Sequence, residues 1–255
     1  MRNLFIIWRK ELRSYFVSPI AYVLLALWGF IFGYFFWVEL GRFLKYSMEM
    51  QMSGQSYPMN LNEQIIRPLL QNVAVISLFF VPLITMRLFA EEKRNGTIEL
   101  LATSPVRDWE IIIGKWLAAM TLYCCLLLFT VIHFAFLFKY GNPDWKPLLI
   151  AYFGLLLEGG VMLGIGEFLS SITKNQIIAG ASTFGVLLLL WVFAWVSGYN
   201  NSTWAQVLSY TSITTHSESF MRGVLDSKDG IFYATLIFLG LFFTARSMES
   251  LRWRS

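Results

Sequence analysis

Apolar residues gather in six stretches long enough to cross a hydrocarbon layer about 30 Å thick. They lie near residues 17–38, 71–90, 111–138, 148–170, 177–197 and 231–247. Residues 2–16 follow another pattern. Leu4, Phe5, Trp8, Leu12 and Tyr15 recur at helical spacing, while Arg2, Arg9, Lys10 and Arg13 occupy other faces. That segment is too polar to span, so it predicts a helix lying in the membrane interface. Pro82 predicts a kink in the second span, and the overlong third run predicts tilt or projection beyond the bilayer. Residues 39–70 and 198–230 are longer connections. In the second, Thr215-His216-Ser217-Glu218 reads as a capping box opening a helix through Phe220, Met221, Val224 and Leu225. The expected fold is an all-α membrane protein with six transmembrane helices, forming one transmembrane domain over 1–255.

Composition agrees. The 255 residues are 56% hydrophobic and 17% aromatic, with a mean hydropathy of +0.57, which excludes an ordinary soluble domain. The net charge of +4 becomes informative once the cations are placed by side. Arg2, Arg9, Lys10, Arg13, Arg87, Lys93, Arg94, Arg107, Lys115, Lys174, Arg246, Arg252 and Arg254 fall on one side. Arg42, Lys45, Arg67, Lys139, Lys146, Arg222 and Lys228 fall on the other. The richer side is expected to be cytoplasmic, with both termini there. That gives a multi-pass protein of the inner (plasma) membrane. The adjacent Cys124 and Cys125 point in divergent directions on one helix, so a disulfide framework is not expected.

One long charged island interrupts the apolar pattern, Arg87–Lys115, between the second and third spans. Glu91, Glu92, Lys93 and Arg94 form a polar turn, and Gly96 permits a bend or a close approach. Ile98, Leu100 and Leu101 make a small apolar face, and Ser104-Pro105 reads as an N-cap followed by a first-turn proline. Periodicity alone fits a docking element and a connector solvated by headgroups equally well. Gly114-Lys115-Trp116 lacks the glycine spacing and the hydroxyl of a phosphate loop, and no metal-hydrolase or nucleophile-elbow motif occurs. No catalytic residue, metal site or cofactor is therefore expected in this chain.

Glu158 and Glu167 are acids within the fourth run, where a carboxylate is costly and faces protein or water. Nine residues apart, they lie on nearly opposite helix faces, so a shared-proton pair is not expected. Glu158 and Glu167 are candidates for polar groups in a translocation path; for Glu158 the other reading is a packing residue beside Gly159 and Gly160. Gly160-x-x-x-Gly164 favours close helix contact. His133 has no acidic neighbour at helical spacing and reads as a core or interfacial histidine. The alternation of Met48, Met50 and Met52 suits a surface helix or loop better than a thioether metal site.

The run Glu91-Glu92-Lys93-Arg94-Asn95-Gly96-Thr97-Ile98-Glu99-Leu100-Leu101, then Thr103-Ser104-Pro105 and Gly114-Lys115, resembles the hallmark of ABC-2 type permeases. Within that family it is most similar to the gliding-motility-type permeases. Ile98 stands where leucine is commoner. His216–Asp229 and Arg252-Trp253-Arg254 extend the resemblance more loosely. It implies a permease subunit, an exporter, whose coupling residues are Glu91, Glu92, Arg94, Gly96, Thr97, Glu99, Leu100 and Leu101. Residues 2–16 would be an elbow helix and 91–101 a coupling helix touching a separate cytoplasmic ABC ATPase, which would bind ATP and Mg. A second permease subunit, identical or homologous, and the lipid bilayer are the other implied partners; nucleic acid is not. The alternatives are a permease for copper-site maturation or sodium extrusion, and a membrane anchor for an ATPase-driven gliding or secretion machine.

Overall fold

The computed structural model describes residues 2–53, 60–98, 106–199 and 202–252, which are helical throughout apart from short turns. The chain runs α1 (Arg2–Val17), α2 (Pro19–Met52), a π-helical turn (Asn62–Ile66), α3 (Arg67–Thr85) and α4 (Ala90–Asn95). It continues through α5 (Asp108–Tyr140), α6 (Trp145–Ile172), α7 (Gln176–Tyr199), α8 (Thr203–Thr211), α9 (Ile213–Met221) and α10 (Ser227–Arg252). Six segments among the described residues are long and apolar enough to cross a membrane.

Local chemistry sets the boundaries. Ser18 adopts an extended backbone and its side chain accepts from Ile20 N, with Pro19 at the first helical position, so α1 ends and α2 begins in one step. The apolar run was expected to end near residue 38, yet α2 continues to Met52. Its 34 residues span about 50 Å, well beyond a hydrocarbon core. Polar residues end a membrane span without ending a helix. Glu39 is buried and takes both oxygens to Arg42 Nη1 at 3.0 and 3.1 Å, one turn further on. Met48 and Met52 stand exposed on this extension, as a surface helix would have them.

The second span begins earlier than residue 71, in a π-helical turn that ends two residues before Pro68, with Arg67 N donating to the Asn62 carbonyl. Proline cannot donate back to Gln64, and a wider turn accommodates the missing bond. Pro82 stays inside α3, and the helix breaks one turn later, over residues 86–89, before α4 resumes. α5 is overlong, as expected, at 33 residues. The second long connection, over residues 198–230, behaves differently from its motif. Ser212, not Thr215, is the N-cap residue of α9, and Glu218 pairs with Arg67 and Arg222 rather than capping. His216 sits inside α9, joined to Asp229 at 2.7 Å and to the Tyr210 carbonyl at 2.8 Å and stacked on Phe232. His133 packs against Phe32 and Phe36, half-buried, with no hydrogen-bond partner at Nδ1 among the described residues.

α6 is the central helix, packing against α3, α5, α7, α9 and α10. Small residues make this possible. A Cβ at Gly240 of α10 would lie 2.8 Å from the Gly164 carbonyl carbon, so the predicted small-residue contact is where α6 and α10 cross. A Cβ at Gly159 would overlap the Tyr123 ring of α5. Gly185 of α7 has nothing within 4 Å of the same position. Gly159→Ala should therefore lower the thermal midpoint in detergent by overpacking, about 1–3 kcal/mol. Gly185→Ala should raise it slightly through helix propensity. Fluorescence-detected thermal unfolding of the two variants checks the opposite signs.

Candidate functional site at the broken second span

A helix that breaks leaves carbonyls and amides without intrahelical partners, and buried ones must be satisfied by something else. Around residues 84–90 five such groups find a side chain from another element. Leu88 N turns back to the Thr85 carbonyl at 3.1 Å, which leaves the Ile84 carbonyl to accept from the Tyr15 hydroxyl of α1 at 2.9 Å. Burial, with Glu11 nearby, pushes the Tyr15 phenol well above its ordinary range, so it remains a donor. Ser170 of α6 accepts from Phe89 N and Ala90 N, both at 3.1 Å, and donates to the Met86 carbonyl at 3.3 Å. One hydroxyl thus closes one side of the break and caps α4 on the other.

Lys115 satisfies a further carbonyl of the break. Its Nζ is 2.7 Å from the Leu88 carbonyl, 3.0 Å from Glu92 Oε1 and 3.2 Å from Glu11 Oε1. It also lies 5.1 Å from the Phe89 ring centre, and only 1% of its surface is exposed. The ammonium is reachable because α1 runs hard against α5. A Cβ at Gly114 would stand 2.9 Å from Ile7 Cγ2, and Trp8 Nε1 donates to Thr121 at 3.0 Å. One buried cation therefore joins α1, the break, α4 and α5. Lys93 reaches the Ser171 carbonyl of α6, which Ser247 of α10 shares.

The predicted residues divide. Glu92 points inward to Lys115, whereas Glu91 is held by Arg87 Nε at 2.8 Å. Arg94 and Thr97 are exposed, with the Thr97 hydroxyl 3.4 Å from the Glu92 carbonyl. A continuous helix over 91–101 is not what forms. α4 ends at Asn95, and Gly96 follows at φ 72°, the left-handed conformation that terminates helices. Ile98 packs on the core from beyond that turn. Glu99, Leu100, Leu101 and the Ser104-Pro105 pair lie outside the described residues.

Glu158 and Glu167 are both buried in α6, and neither carboxylate has a hydrogen-bond partner among the described residues. Opposite faces of one helix can both be interior here because α6 is surrounded. Glu158 sits in the packing around Tyr123, whose hydroxyl meets Ser77 at 3.1 Å. Glu167 lies within electrostatic reach of Lys115 and Glu11.

Pattern singles out neither Glu11 nor Ser170, and it picks up Tyr15 and Lys115 only as part of an apolar face and of a motif. Two signals were present. Glu11 is the one acid within the α1 segment, and Lys115 is a lone cation entering an apolar run.

Six apolar helices, an amphipathic first helix and no described strand define a polytopic α-helical membrane protein. Residues 6–243 match the family model described as ABC-2 family transporter protein, and the chain belongs to that family. Members of this family are membrane components without an ATPase domain of their own. The match defines the family and no subgroup within it. The chain is also 28% identical, over 151 residues, to the "Probable multidrug ABC transporter permease YbhR" of Escherichia coli K12, and equally to that of strain O157:H7. The aligned stretch covers 56% of this chain and 39% of either relative.

Removing the central cation isolates two carboxylates in an apolar junction. Lys115→Met should cost about 3 kcal/mol or more, the usual penalty for stranding one half of a buried pair. Arg94→Met, at an exposed position, should change stability by less than about 0.5 kcal/mol. Thermal unfolding in detergent compares the two.

Proposed function

We propose that this chain is the membrane-spanning permease subunit of an ATP-driven exporter, with α4 and the Gly96 turn as its contact with a separate cytoplasmic ATPase. The observation that carries the proposal is the anchoring of α4. Ser170, Lys115 and Lys93 fasten this six-residue helix to α6 and α5, so force applied to it reaches two spans without loss in a flexible loop. Its outward side offers Arg94, Asn95 and Thr97 to a partner. The excess of Lys and Arg at this end supports a cytoplasmic position for it and for both termini.

In this reading MgATP is bound and hydrolysed by the partner, and α1 serves as the elbow helix. Two permease subunits flank the substrate path. The sparsely covered α2 and α7, each with 22% of its apolar window buried, are the surfaces left for lipid and for the second subunit. Closure of the ATPases displaces α4 and rearranges the α3–α6 core around Glu158 and Glu167. The relative's description as a multidrug permease supports a hydrophobic small molecule as cargo.

The test is co-expression with the cognate ATPase. Gly96→Val forces a β-branched residue into a left-handed turn, at about 1–2 kcal/mol, and redirects the chain beyond α4. It should insert and fold, yet reduce ATPase co-purification and ATP-dependent uptake of a hydrophobic dye into inside-out vesicles by at least roughly tenfold. Wild-type binding and uptake would refute the assignment of α4. ATPase binding with no transport of any dye would favour the anchoring alternative.

A further inference from the structure

We propose that Glu167 is the second-state partner of Lys115: when α4 is displaced, the lysine exchanges Glu92 and the Leu88 carbonyl for the Glu167 carboxylate. The inference rests on the coupling role of α4 and adds a positioning residue to it. An ammonium has three protons to donate. In this structure all three are matched, by the Leu88 carbonyl, Glu92 and Glu11. Two of those acceptors belong to the 86–95 segment and leave with it if it moves. Lys115 would then keep only Glu11, in surroundings that hold it to 1% exposure. A cation stripped of partners in such a site would oppose the motion strongly.

Glu167 answers that difficulty. Both of its oxygens are buried and without hydrogen-bond partners among the described residues, although unpartnered buried carboxylates are costly and rare. It lies within electrostatic reach of Lys115 and Glu11. It is also one helical turn from Ser170 and Ser171, whose hydroxyl and carbonyl hold residues 86, 89, 90 and 93, and positions three and four apart share a helix face. Glu167 therefore stands on the side of α6 that faces the break, on a helix fixed by its neighbours. An acceptor that is idle while α4 is seated and available when it is not would make the two positions comparable in energy.

Two isosteric variants separate this role from simple packing. They are reconstituted with the cognate ATPase in proteoliposomes, and MgATP turnover is read as kcat and KM. Glu167→Gln removes the charge of the second state and should lower kcat roughly tenfold, the value of one charge-assisted hydrogen bond. ATPase co-purification and KM for MgATP should be unchanged. Glu92→Gln weakens the seated state instead and should raise basal turnover. Effects of opposite sign support the exchange. Equal losses in both, or wild-type kcat in Glu167→Gln, would overturn it, as would a fully active Glu167→Met if the glutamine variant does not fold. If Gly96→Val also leaves ATPase binding intact, the coupling role itself fails; if only the Glu167 result is negative, the exchange alone does.

Discussion

The structure depends on how a membrane-embedded helix can be broken at all. Inside a bilayer no water is at hand to satisfy free backbone groups, so irregular backbone survives only where protein supplies the bonds. Between Ile84 and Ala90 those bonds come from Tyr15, Ser170 and Lys115, on three different helices. The break is therefore also a joint: the groups that satisfy it tie α1, α5 and α6 to the start of α4. The same chemistry that permits the irregularity makes it mechanically connected.

Lys115 adds an electrostatic dimension to this joint. A buried ion pair contributes little net stability once desolvation is counted, but breaking one is expensive. A lysine shared among Glu11, Glu92 and a carbonyl is accordingly a poor glue and a good discriminator between arrangements. It penalises any position of α4 that leaves the charge unmatched. Under the proposed function such a device fits, because a permease driven by a separate ATPase must receive mechanical work at its surface and carry it inward.

The helices and their order were legible from hydrophobic runs, since apolar length is what a bilayer selects. Boundaries were less so. α2 outran its apolar stretch to Met52 because Glu39 and Arg42 satisfy one another within the helix, and a pattern of polar residues reads as a loop. The Thr215–Glu218 motif misled because Ser212, with an extended backbone, had already taken the cap. Gly96 was rightly read as a bend, but its left-handed turn ends the helix that was drawn through it. At the site, Glu92 was found for its motif and Lys115 only as part of one. What joins them to Glu11 is a contact across 104 residues, which local spacing does not encode.

The proposed role requires α4 to face a partner ATPase, and a photo-crosslinking amino acid in place of Arg94 tests this in intact membranes. Position 94 is exposed at the end of α4, and Tyr210, 61% exposed at the opposite end of the bundle, is the control. On irradiation, position 94 should capture the ATPase subunit and position 210 should not. Capture from 210 with none from 94 would contradict both the orientation and the coupling role.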